Sequence, residues 1–167
     1  AAGPRNMPSA PLMHGTGLFN AISNLMVGGS ITTMQGRSFD PEEFLDTVET
    51  YGINSTSIVG DAFAKPILAA LRGEPDRWDI SCLRVIISSG VMFSQESKTA
   101  LSSFNERMVI VDAFGSSEAI GMAKSVSSGS SASGGAATTA SFELSPDSVV
   151  ITDDGRILEP SSEEIGK

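Results

Sequence analysis

The chain has 167 residues, 40% of them hydrophobic and 19% charged, with a formal net charge of -9. That length fits one ordinary domain with a buried core. The acidic balance argues against nucleic acid as a partner, because its phosphates are met by Lys and Arg, but not against a single nucleotide. One cysteine, Cys82, and one histidine, His14, exclude an intrachain disulfide and a zinc site built from His and Cys, and fit a reducing, cytoplasmic setting. No apolar run reaches the length of a membrane span, which leaves only peripheral membrane contact open. The opening Ala1-Ala2-Gly3-Pro4 has no starting Met and no signal-peptide pattern, so a fragment of a longer protein is expected. Nothing in the sequence sets an oligomeric state.

In chain order, Ile31 to Gln35 reads as a strand. A helix follows: Asp40 is placed to cap it, Pro41 sits at its first position, Glu43 can reach back in a capping box, and Gly52 stops it. Ile53 to Val59 reads as the next strand, and this strand–helix–strand unit favours parallel pairing. Asp61 is placed to cap a second helix through Phe63, Ile67, Leu68 and Leu71, ending at Gly73, with Pro66 in its first turn or two. Arg84 to Ile87 and Met108 to Val111 are short continuous apolar runs, as expected of buried parallel strands. Between them Ser94 is placed to cap a helix carrying Ser97, Leu101 and Phe104.

Beyond Val126 the texture changes. Residues 127–139 are almost all Ser, Gly, Ala and Thr and read as a mobile linker. Ala140 to Leu144, Ser148 to Thr152 and Arg156 to Leu158 read as short antiparallel strands, with Asp153-Asp154-Gly155 as a hairpin turn. The expected organisation is an α/β portion over 1–126, a linker over 127–139 and a β appendix over 140–167. The fold class is α/β, a mostly parallel sheet flanked by helices, with a small antiparallel appendix at the C-terminal end. Gly129 and Gly134 have Walker-type spacing, but Gly135-Ala136 stands where Lys-Ser/Thr is required, so a flexible loop is the better reading.

Two buried strands end in unusual loops, Ser88-Ser89-Gly90 and Asp112-Ala113-Phe114-Gly115-Ser116-Ser117-Glu118. In open parallel sheets ligands bind at the carboxyl ends of strands. Small residues there let the backbone approach phosphate, Phe114 offers an apolar face to a base, and Glu118 is a hard oxygen ligand for magnesium. Either loop alone is better read as an ordinary turn; two on successive strands point to a site.

Phe114-Gly115-Ser116-Ser117-Glu118 resembles the Tyr-Gly-x-Thr-Glu motif of the adenylate-forming superfamily. Pro11-Leu12-Met13-His14-Gly15-Thr16-Gly17 resembles its Pro-Leu-Phe-His-x-x-Gly motif, and Leu83 to Gly90 resembles its Leu-Arg-to-Gly-Gly stretch. With Asp79 to Arg84 and Asp153 to Arg156, the resemblance covers nearly the whole chain and is nearest to bacterial long-chain acyl-CoA synthetases. It implies an internal piece of one larger N-terminal adenylation domain. The enzyme would activate a fatty acid or other carboxylic acid with ATP and Mg2+ as acyl-AMP and transfer it to CoA.

The resemblance also implies roles for individual residues. Glu118 would hold magnesium and Ser117 the adenylate phosphate. Phe114 would stack on adenine, Asp112 would meet its amine, and Gly115 and Ser116 would position the adenylate. Ser88, Ser89 and Gly90 would line the junction of acyl group and adenine. His14 would sit beside the reacting carboxylate, although a lone histidine can also be structural. Phe63, Ile67 and Leu68 are candidates for an acyl tunnel wall or for the core. The chain departs from the motifs at Ser117, which replaces Thr, and at Val91-Met92, where Ala-Pro is usual. The phosphate loop, the ribose-binding Asp and the catalytic Lys of the family do not occur in the sequence, so this piece alone is expected not to turn over. Two alternatives stand beside this reading: a non-catalytic module that binds an acyl-adenylate or a partner, and an acyl-AMP ligase serving a carrier protein.

Overall fold

A computed structural model describes residues 3–128 and 141–159 together with Ser162 and Glu164. Nine strands and four helices follow one another along these described residues. β1 (Arg5–Pro8), β2 (Ser30–Ile31), β3 (Ser55–Ile58), β4 (Val85–Ser88) and β5 (Val109–Phe114) pair in parallel. β6 (Ala123–Ser128) and β7 (Glu143–Leu144) extend the same sheet antiparallel, in the order β2-β1-β3-β4-β5-β6-β7. β8 (Val150–Ile151) and β9 (Ile157–Leu158) form a separate antiparallel hairpin. The α/β class with a small antiparallel C-terminal sheet is as the sequence indicates.

The helices are α1 (Gly15–Met26), α2 (Pro41–Tyr51), α3 (Gly60–Gly73) and α4 (Gln95–Phe104). α2 forms for the reasons its sequence gives. Asp40 Oδ1 accepts from the N–H groups of Glu42 and Glu43 at 2.8 and 3.2 Å, Pro41 fills the first turn, and Gly52 ends the helix at φ 58°. Glu43 departs from the expected capping box: its carboxylate accepts from the backbone N–H groups of Gln35 and Gly36 and ties down the preceding loop. Phe44, Leu45 and Val48 pack with Ile67, Leu71 and Leu101 from α3 and α4 against Met7, Ile58, Ile86 and Ile110 of the sheet. This layer is the hydrophobic core.

Side chains alternate faces along a strand. Met7 points into the core, so its neighbour Asn6 points to the other face, where its amide donates to Asn20 Oδ1 of α1 at 2.8 Å. Thus α1 covers the opposite side of the sheet, packing on β1, β2 and β3. It does not reach across β4 and β5, and this leaves the outer face of their carboxyl ends open.

Several expected elements change. The strand expected over Ile31 to Gln35 shortens to Ser30–Ile31. It is not the neighbour of β3, because β1 lies between them. β1, α1 and β6 were not expected. β6 takes in Ser127 and Ser128 of the proposed linker; the remainder, 129–139, lies outside the described residues. Glu143–Leu144 joins the main sheet instead of the terminal hairpin. The turn at 153–155 forms as expected, with Gly155 at φ 85° and Thr152 N–H donating to Arg156 O at 2.9 Å. Asp61 does not cap α3. Val59 holds the cap position without a side-chain bond, and Asp61 instead accepts from the N–H and hydroxyl of Ser94, both at 3.1 Å, joining the starts of α3 and α4.

Candidate active site

β4 and β5 run in register, with Ser88 beside Asp112. Their C-terminal loops divide two cavities. One, about 540 Å³, lies on the α1 side, between Thr16, Phe19 and Asn20 of that helix and Ile87, Ala113 and Ile120. The other, about 390 Å³, lies on the core side, bounded by Met92, Phe93, Asp112 and Phe142. Ser89, Gly90, Ala113, Phe114 and Gly115 line both, so the two spaces meet at the ends of these strands.

Each loop is held from behind. Ser88 is buried, and its hydroxyl accepts the Gly60 N–H at 2.9 Å. Gly60 has φ 47°, and a Cβ there would stand 2.4 Å from Met92 O; only glycine lets the start of α3 press against the loop after β4. The loop after β5 closes on itself: Ser116 N–H donates to Ala119 O at 3.0 Å and Ala119 N–H to Ser116 Oγ at 3.2 Å.

Asp112 is buried on the core side and forms an ion pair with Lys98 of α4, whose side chain is 3% exposed. Phe114 is exposed and meets Phe142 edge-on, ring centroids 6.0 Å apart. Ser117 lines the first cavity. Glu118 is fully exposed, and a hydrogen bond with the Ser116 side chain holds its carboxyl below its ordinary value, so it is ionised at neutral pH. His14 is exposed at the N-cap of α1 and makes no side-chain cap bond.

Of the residues singled out from sequence, Ser88, Ser89, Gly90, Asp112, Phe114, Gly115, Ser116 and Ser117 gather around the two cavities. Glu118 and His14 lie outside both linings; each adjoins a residue that lines the first, Ser117 and Gly15. Ile67 and Leu68 belong to the core, and Phe63 packs on Phe39 with ring centroids 4.3 Å apart. None of the three lines either cavity, so the core accounts for them. Sequence reading missed Lys98 and Phe142. Lys98 shares a helical face with Ser94, Ser97 and Leu101, a position that flags a charge turned toward the interior. Phe142 carries no such signal.

Among the described residues no three His, Cys, Asp or Glu side chains cluster as a metal site. Magnesium bound with a nucleotide takes one or two carboxylates and completes its shell with phosphate oxygens and water. A single exposed, ionised Glu118 beside a small-residue turn fits that mode.

A mostly parallel sheet with helices on both faces and a cleft where two strand ends carry small polar loops defines an open-sheet α/β protein with its ligand cleft at the carboxyl ends of the strands. The AMP-binding enzyme family matches residues 2–163, and the chain belongs to it. It is 30% identical over 159 residues to a medium/long-chain-fatty-acid–CoA/3-oxocholest-4-en-26-oate–CoA ligase of Mycolicibacterium smegmatis, covering 93% of this chain and 28% of that protein. It is 30% identical over 171 residues to the medium-chain acyl-CoA ligase Mig of Mycobacterium avium, covering 99% and 30%. The chain therefore spans under a third of the length of these relatives. In fold it is similar to the N-terminal domain of FACL13 from Mycobacterium tuberculosis, with a TM-score of 0.69, 19% identity, and coverage of 95% of this chain and 38% of that one. No helix among the described residues is long and apolar enough to cross a membrane.

Proposed function

We propose that this chain is the adenylate-binding portion of an AMP-forming acyl-CoA synthetase, a piece of a larger N-terminal adenylation domain. The observation that carries the reading is the meeting of two cavities at Ser89, Gly90 and Phe114. The core-side cavity, with Phe114, Phe142 and Asp112, suits adenine: the Phe114 ring, met edge-on by Phe142, for one face of the base and a carboxylate to accept from its amine. The α1-side cavity suits the acyl group. The shared seam is then where carboxylate and α-phosphate come together.

There a carboxylate oxygen bonds to the α-phosphorus as the bond to pyrophosphate breaks, giving acyl-AMP. In the second step the CoA thiol loses its proton, sulfur bonds to the acyl carbon, and AMP leaves. The chain's contribution is largely positioning. Ser117 and the tight turn at Gly115 hold the phosphate, and Ser89 and Gly90 give the backbone room to approach it. His14 stands at the start of α1 beside the acyl carboxylate. Glu118 would hold magnesium, which offsets charge on the triphosphate.

Support comes from family membership and from the medium- and long-chain fatty acids named for the relatives. The test is acid-dependent pyrophosphate release from ATP by the full-length protein, across fatty acids of increasing length. Release that depends on the acid supports the reading; none with any acid refutes it. The isolated chain is expected to give no turnover above a Glu118→Ala control.

A further inference from the structure

α4 turns Ser97, Lys98 and Leu101 inward. A lysine is almost never buried unless it is paired, and the Lys98 side chain is 3% exposed. Its ammonium donates to Asp112 Oδ2 and stands 5.6 Å from the centre of the Phe93 ring. This is the one ion pair that Asp112 makes among the described residues. Asp112 and Phe93 line the core-side cavity, and Lys98 does not. The cation therefore stands behind the cavity wall and acts on a guest through Asp112.

A buried ion pair is a poor source of stability, because desolvation of both charges offsets most of their attraction. What this pair gives the cavity is a carboxylate of fixed orientation. With Oδ2 engaged by Lys98, Oδ1 is left for a guest. An ionised carboxylate only accepts hydrogen bonds. It takes a 6-amino purine, whose exocyclic nitrogen donates. It repels a 6-oxo purine, which sets a carbonyl oxygen in the same place. Without its cation, a buried carboxylate turns toward water or is neutralised. A neutral carboxyl both donates and accepts, so either outcome erases the discrimination.

We propose that Lys98 is a positioning residue for base selection: by holding Asp112 as a fixed, acceptor-only group, it makes the site take a 6-amino purine and reject a 6-oxo purine. The inference rests on reading the core-side cavity as the adenine site. Lys98 itself touches no part of the nucleotide.

The test uses the full-length protein and two non-hydrolysable acyl-adenylate analogues, decanoyl sulfamoyl-adenosine and decanoyl sulfamoyl-inosine, which differ at the purine 6-position. The native protein binds the adenosine analogue about thirtyfold tighter, the worth of one charge-assisted hydrogen bond. In Lys98→Met that ratio falls below about threefold. Should Lys98→Met fail to fold, Lys98→Gln keeps a hydrogen-bond donor for the carboxylate without the charge, and the ratio falls alike. A merely structural Lys98 would weaken both analogues equally; a ratio unchanged in the variant that folds therefore overturns the proposal. Equal affinity of the two analogues for the native protein overturns it as well, while leaving the acyl-adenylate site standing. Failure of both analogues to bind refutes the acyl-adenylate reading itself, and the proposal falls with it.

Discussion

Ser117 Oγ lies 3.9 Å from the point where a Cβ on Gly15 would stand, so the turn after β5 faces the first turn of α1. Two motifs about a hundred residues apart thereby border one cavity. The helix start is a ready source of free N–H groups, and Gly15 keeps the gap between them open. Gly15→Val fills it. The β-branched side chain meets the Phe19 ring, which can turn aside, and intrudes on the seam. We expect binding of an acyl-adenylate analogue to weaken about tenfold, roughly 1.4 kcal/mol, with little change in melting temperature. Calorimetric titration and thermal unfolding of the two proteins check this.

The Lys98–Asp112 pair is buried at the edge of the core-side cavity. Removing one partner strands the other charge. Lys98→Met is expected to destabilise the protein by about 3–5 kcal/mol, and Lys98→Met with Asp112→Leu to recover most of that loss. Denaturant unfolding of the native, single and double variants gives the answer. If the single variant costs no more than the double, the pair does not hold this region together.

Gly60 is held between a left-handed backbone and the Met92 carbonyl. Gly60→Ala introduces strain and a clash with backbone that cannot turn away, costing about 2–4 kcal/mol. Gly73→Ala, where a Cβ meets nothing within 4 Å, is the control and should change stability by less than about 1 kcal/mol.

Asp61 gives a pH dependence. Burial works to raise its pKa, but bonds from the Ser94 backbone, from the Ser97 and Ser94 side chains and from Lys65 outweigh it, and the net direction is down from 3.8. A carboxyl held lower in the folded state than in the unfolded one stabilises the fold above the unfolded pKa. That contribution is lost as pH falls through the folded value. Asp61→Asn should therefore be less stable than native at neutral pH, with the gap closing as pH drops below about 4. Unfolding curves from pH 7 down to pH 3 measure it; a gap independent of pH would assign Asp61 a packing role.

Much of this fold was legible because local chemistry and tertiary need agree. Asp40, Pro41 and Gly52 bound α2 as capping rules require, and the apolar runs at Val85–Ile87 and Met108–Val111 could only be buried strands. β1 escaped notice because Arg5-Asn6-Met7-Pro8 offers one core side chain; it is kept central by the Asn6 bonds to α1 and β3, which pair residues 14 and 49 positions apart. α1 escaped because two glycines and two asparagines weaken its helical signal. β6 is Ser-rich and owes its strand conformation to pairing with β5. The site was readable where it consists of loops at strand ends. It was unreadable at Lys98 and Phe142, which reach it only through contacts made by folding.

The proposed adenylation chemistry rests most heavily on Glu118, and Glu118→Gln isolates it by keeping size while removing charge. In the full-length protein, two rates are compared: pyrophosphate release from ATP and a fatty acid, and thioester formation from supplied acyl-AMP and CoA. If Glu118 holds magnesium on the triphosphate, the first slows by about two orders of magnitude and the second, which involves no triphosphate, changes little. Equal loss in both rates, with a lowered melting temperature, would show that Glu118 only supports the turn and would contradict its role in the first step.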